Sequence, residues 1–71
     1  MFMRIEATPD VCHGKPRIKG TRVLVSQVVL AVAAGSTIEE VAEDYEIEPA
    51  DVIEALEFAG SLVEQEELVA A

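Results

Sequence analysis

Thr37-Ile38-Glu39-Glu40-Val41-Ala42-Glu43-Asp44-Tyr45, continued by Glu46-Ile47-Glu48-Pro49-Ala50-Asp51-Val52, is the stretch that decides the fold. Ile38, Val41, Ala42 and Tyr45 recur at i, i+3, i+4 and i+7, the apolar stripe of an amphipathic helix. Thr37 with Glu40 has the spacing of a capping box, and Ser36 with Glu39 offers the same spacing one residue earlier. Glutamates in the first turn also suit the positive end of the helix dipole. This helix is expected to end near Tyr45, with residues 46–48 as the connection. Pro49 suits the first position of a following helix, because its missing N–H would have no partner there, and Asp51 falls in that helix's first turn.

Working outward, the last helix is expected from Pro49 to about Glu67. At roughly 100° per residue, Val52, Ile53, Leu56, Ala59 and Val63 share the expected core face, opposite Asp51, Glu54, Glu57, Ser61 and Glu64. Ala55, Phe58 and Leu62 widen the apolar surface beyond one stripe. Phe58 then has two readings, packing under the N-terminal strands of its own chain or forming an interface. Upstream, Ser26 is the expected N-cap of a helix over residues 27–34 that is apolar nearly all round and so should be buried, with Gly35 as its stop. Further upstream, residues 3–7 alternate apolar and polar as a short strand does, and Arg17-Ile18-Lys19 alternates again. Thr8-Pro9-Asp10, His13-Gly14-Lys15-Pro16 and Gly20-Thr21 are turn chemistry. The expected fold class is mainly α with a short N-terminal β-arm (residues 1–25), then a three-helix bundle (residues 26–71) containing a helix-turn-helix, as one structural domain.

Charge divides the chain in the same place. All five basic residues, Arg4, Lys15, Arg17, Lys19 and Arg22, fall in the first 22 positions, where Glu6 and Asp10 leave a net of +3. From Val23 onward the chain carries −12. The overall −9 disfavours non-specific contact with DNA or anionic membrane, so any nucleic-acid contact must come from the arm. The longest apolar run, residues 28–34, is about a third of the ~20 residues a membrane span needs. Residues 1–6 do not read as a signal peptide, since Arg4 and Glu6 stand where an apolar core would begin, and the lone Cys12 suits a reducing compartment. A cytoplasmic location without membrane contact is expected. At 71 residues with 51% apolar content, the core is small and apolar surface is left for a partner or second copy.

The residues that carry chemistry are few. Gly14-Lys15-Pro16 is no phosphate-binding loop, because Pro9 stands where the loop needs glycine and Pro16 where it needs Ser or Thr. Cys12 and His13 have no second Cys or His to complete a zinc shell, and as neighbours on extended backbone they point to opposite faces, so neither metal nor nucleophilic catalysis is indicated. Glu39 with Glu43 and Glu40 with Asp44 read as solvated helix faces. The helix in the base-reading position presents Asp51, Glu54 and Glu57 without Lys or Arg, which opposes groove insertion. Lys15, Arg17, Lys19 and Arg22 have two readings: a row of phosphate contacts along a strand edge, or ion pairs with acidic helices of the same or a neighbouring chain. Nothing aromatic interleaves them, so base stacking is not indicated.

The string Gly14-Lys15-Pro16-Arg17-Ile18-Lys19-Gly20-Thr21-Arg22-Val23, with the helix start at 35–41 and the segment 44–56, resembles the family catalogued as domain of unknown function 433. The resemblance spans Ile5 to about Ala59. It implies a small homeodomain-like fold with a β-containing arm, and an antitoxin-like role beside a PIN-like ribonuclease toxin. The expected protein is therefore not an enzyme, needs no cofactor, metal or small-molecule substrate, and binds a PIN-like nuclease, with weak DNA binding through the arm. Lys15, Arg17, Lys19 and Arg22 are the expected nucleic-acid or partner contacts. Ala55, Phe58 and Leu62, with the arm strands, form the expected homodimer or partner edge. The competing expectation is a homodimeric interaction module that binds no nucleic acid.

Overall fold

A computed structural model describes residues 2–65. Two short strands, β1 (Ile5–Glu6) and β2 (Arg17–Ile18), precede three helices, α1 (Val25–Ala33), α2 (Ile38–Tyr45) and α3 (Pro49–Glu64). The chain is mainly helical with an N-terminal β-hairpin. The strands pair antiparallel with Ile5 opposite Ile18 and Glu6 opposite Arg17. They are shorter than the alternating pattern suggests because turns close in on both. Ile18 turns inward and is 2% exposed, the arm's anchor in the core.

Beyond β2 the chain doubles back at once. The Ile18 N–H donates to the Val23 carbonyl and the Val25 N–H to the Pro16 carbonyl, so β2 is flanked on its second edge by residues 23–24. Gly20 makes this reversal with φ +79°, a conformation that costs an L side chain about 1 kcal/mol. The Thr21 hydroxyl pins the turn, donating to the Ile18 carbonyl at 2.8 Å and accepting from the Val23 N–H at 3.0 Å. The loop leading into β2 contains a left-handed turn over Cys12–Gly14, with φ of 51°, 56° and 76°. Two consecutive non-glycine residues in that region are strained by about 1 kcal/mol each. The turn is held by hydrogen bonds from the Gly14 N–H to Val11 and from the Lys15 N–H to Cys12.

The α1 helix starts at Val25, one residue before the expected cap at Ser26. Leu24 occupies the cap position, and its N–H is satisfied by the Gln27 side chain at 2.9 Å. Its end is as expected: Gly35 takes φ +107°, and the Ser36 N–H returns to the Ala31 carbonyl, closing a Schellman motif. The capping box of α2 is complete, with Glu40 N–H donating to the Thr37 hydroxyl and Thr37 N–H to the Glu40 carboxylate. Pro49 opens α3 as the pattern predicts, and Asp51 accepts from the Glu48 N–H at 2.9 Å. The α3 end expected near Glu67 lies outside the described residues.

Val25, Val28, Val41, Ala42, Val52 and Ala55 join Ile18 in the core, with α3 packed against both α1 and α2. Here the expected core face of α3 needs correction. Val52, Ala55, Leu56 and Ala59 face the bundle, whereas Ile53 and Val63 are 45% and 69% exposed. These four stand at i, i+3, i+4 and i+7, and the small Ala55 side chain lets the neighbouring helices approach closely. Side-chain size alone favours the wrong stripe. Similarly, α1 is not buried all round: Leu30 is 68% exposed.

Candidate interaction surface

Two expected site residues turn out to be structural. Arg17, placed by its spacing in the contact row, is 6% exposed and cannot reach an external phosphate. Opposite it in the β1–β2 register stands Glu6, whose Oε1 accepts from Arg17 Nη2 at 2.8 Å and from the Gly20 N–H at 3.2 Å. One carboxylate thus neutralises a buried cation and ties the turn at Gly20 to β1. Arg17 Nη1 is buried without a hydrogen-bond partner among the described residues. Ala55, expected on an edge, is fully buried in the core.

The arm's remaining charge is divided. Arg4 reaches across to the start of α3, donating to Asp51 at 2.9 Å and lying 3.4 Å from Glu48, while its own N–H donates to Glu54. The hydrogen bond to Asp51, with the charges of Asp51 and Glu48, raises the guanidinium pKa above its ordinary value. Asp51 and Glu54, expected on the solvated face, are therefore partly covered by the chain's own N-terminus. Phe2 continues this strap by packing edge-on against Phe58, with ring centroids 5.2 Å apart. That favours packing within the chain as the main role of Phe58. Lys15, Lys19 and Arg22 are exposed and make no ion pair among the described residues. They do not form one edge, since Lys15 follows the left-handed turn, Lys19 sits in the reversal at Gly20, and Arg22 leads toward α1.

The opposite sign is better organised. Glu39, Glu43 and Asp44 are exposed on α2, and Glu57 and Glu64 on α3. Glu40 is exposed too, but its carboxyl is held below its ordinary value, first by the Thr37 N–H and then by the Thr37 hydroxyl. The start of α3, the helix that would read bases in a helix-turn-helix, presents acids already engaged by Arg4.

An open apolar groove of about 550 Å³ runs between α1 and the last turns of α3. Val25, Val29 and Leu30 form one wall, Phe58, Leu62 and Val63 the other, and Lys15 with Pro16 closes one end. Leu62 is 45% exposed on the α3 wall. The α1 wall has no counterpart in the sequence reading, which expects an all-apolar helix to be buried. The available signal is length: with sixteen residues in α3 against nine in α1, the two helices cannot pack along the whole of α3.

Cys12 is half-buried with Sγ 4.0 Å from the Arg22 carbonyl, and His13 is exposed. Among the described residues no group of three or more His, Cys, Asp or Glu is placed to hold a metal ion. No helix among them is long and apolar enough to cross a membrane.

These features define a small three-helix domain whose β-hairpin arm is built into its core and whose outer helical faces are acidic. Residues 5–59 match the model of the family described as "Protein of unknown function (DUF433)", and the chain belongs to that family. Its fold is similar to the X-ray crystal structure of Rv2018 from Mycobacterium tuberculosis, with 33% sequence identity and a TM-score of 0.67. The match covers 73% of this chain and 24% of that one, so the shared unit is a minor part of the longer protein. No curated protein matches the chain.

The family string now has a physical explanation. The Pro16 carbonyl accepts from the Val25 N–H at the start of α1, Ile18 anchors the core, and Gly20 and Thr21 form the reversal. These positions shape the arm and fix it to the helices.

Proposed function

We propose that this protein is a non-catalytic, antitoxin-like regulator that binds a PIN-like ribonuclease through the acidic faces of α2 and α3. The observation that carries this reading is the distribution of exposed charge. Glu39, Glu43 and Asp44 stand outward on α2, whereas the arm has spent Arg4 and Arg17 on internal ion pairs. A ribonuclease must present a basic rim to its RNA, and an acidic helical surface can occupy that rim in place of the phosphates. The helix-turn-helix outline of α2 and α3 then serves as a scaffold without groove insertion, and any DNA contact is limited to Lys15, Lys19 and Arg22. In this reading the protein is a cytoplasmic homodimer, with the acidic faces of both copies turned outward.

The test is to identify the gene beside it on the chromosome and, where it encodes a PIN-like nuclease, to combine that nuclease with the protein. A complex by size-exclusion chromatography, with loss of RNase activity as the protein is titrated in, is the expected result. The absence of both complex and inhibition overturns the proposal.

A further inference from the structure

The groove between α1 and α3 has no occupant within residues 2–65, yet its walls are of core quality. Leu30, Leu62 and Val63 are 68%, 45% and 69% exposed. Covering them removes apolar area from water at about 25 cal/mol per Å². We infer that a second copy of this chain covers the groove, each copy laying the last turns of its α3 into the groove of the other. The inference rests on the homodimeric state proposed above and adds the surface that makes it.

Three features favour a second copy over an unrelated partner. The first is self-complementarity. Leu62 and Val63 are both a wall of the groove and an apolar ridge, on the one helix that outlasts the bundle, so a two-fold axis can bring ridge and groove together twice. The second is charge. Lys15 closes one end of the groove and has no ion pair among the described residues, while Glu64 stands exposed beside Val63 in the last turn of α3. The second copy's last turn therefore brings a carboxylate, and the negative end of its helix dipole, toward Lys15. This pairing offsets part of the repulsion between two chains of net charge −9. The third is size, since a 71-residue chain gains a larger core by sharing apolar surface with a copy of itself. The surface differs from the expected edge: Ala55 is enclosed, Phe58 is mainly committed to Phe2, and the ridge moves one turn along α3 to Leu62 and Val63, facing Leu30 of α1.

Sedimentation velocity on the full chain at micromolar concentration tests this. The wild-type protein is expected at twice the chain mass. Val63→Asp and Leu30→Asp are each expected to weaken the dimer at least about tenfold, the change that 1.4 kcal/mol produces. Their far-UV circular dichroism should stay wild-type, because both side chains are already mostly in solvent. Lys15→Glu and Glu64→Lys alone should each weaken the dimer, and the double variant should recover it, since the swap restores the pair across the axis. A monomeric wild type overturns both this surface and the dimer reading. A dimer indifferent to both aspartate substitutions overturns this surface alone. Failure of the double variant to recover overturns the placement of Lys15 against Glu64.

Discussion

Replacing Glu6 by alanine leaves the Arg17 guanidinium buried without its counter-charge, and the structure sets the size of the effect. The Arg17 side chain is 7% exposed and the Glu6 side chain 32%, so water reaches the carboxylate but hardly the cation. Removing one partner of a buried ion pair costs about 3–5 kcal/mol. Partial hydration on the Glu6 side places this pair near the lower end, at about 3 kcal/mol, including loss of the Gly20 N–H acceptor. A chain of this length has a total stability of roughly 4–11 kcal/mol at ~0.05–0.15 kcal/mol per residue, so Glu6→Ala should remove a large fraction of it. The melting temperature should fall by about 12 °C or more. Arg17→Met should cost less, about 1 kcal/mol, because the apolar chain fills the same space, relieves the unpartnered Nη1 and leaves Glu6 able to hydrate. Urea unfolding followed at 222 nm measures both. Equal losses, or a larger loss for Arg17→Met, would refute the reasoning that Arg17 is a buried structural cation whose weak point is its partner.

Other expectations follow from the same contacts. Thr37→Ala removes the α2 cap and should cost about 1 kcal/mol in urea unfolding. The Glu40 carboxyl is held below its ordinary value of 4.5, so its stabilisation is fully present above that pH and is lost as pH falls through the lower folded-state value. The stability difference between wild type and Glu40→Gln should accordingly shrink on acidification from about pH 6 to about pH 3, and a constant difference would count against it. Gly20→Ala forces a side chain into φ +79° and should destabilise by about 1 kcal/mol, although no atom lies within 4 Å of the added methyl. Duplex DNA should show little binding even at low salt, read by fluorescence anisotropy; affinity falling steeply between 50 and 200 mM salt, as roughly six phosphate contacts would produce, would contradict the placement of the arm.

The helices are legible in the sequence because their signals are local. Thr37 with Glu40, Pro49, and Gly35 each act within one turn of chain, and all three do in the structure what their chemistry prescribes. The arm is half legible: its strands are recognisable, but the burial of Arg17 depends on the register that puts Glu6 opposite it. That register is set by Ile5 and Ile18 turning inward together, a contact thirteen residues apart in sequence. Arg4 reads as arm charge, and its partners Asp51 and Glu54 read as solvated and Glu48 as part of the connection, because helical periodicity does not register a strap laid across them. The α3 core face is misleading for a related reason. Ile53 and Val63 outweigh Ala55 in hydrophobicity, but close helix packing selects the small residue. The groove depends on the relative lengths of α1 and α3 and so emerges only when the helices are assembled.

In the proposed reading, partner binding falls to the acidic helical body and not to the basic arm. The most direct measurement is the affinity of a PIN-like nuclease, where one is encoded beside this chain, for two variants by isothermal titration calorimetry: Glu39→Lys with Glu43→Lys, and Lys19→Ala with Arg22→Ala. The α2 charge reversal should weaken binding by roughly tenfold or more, about 1.4 kcal/mol, and the arm variant should bind within about twofold of wild type. An unaffected α2 variant together with a weakened arm variant would contradict the assignment.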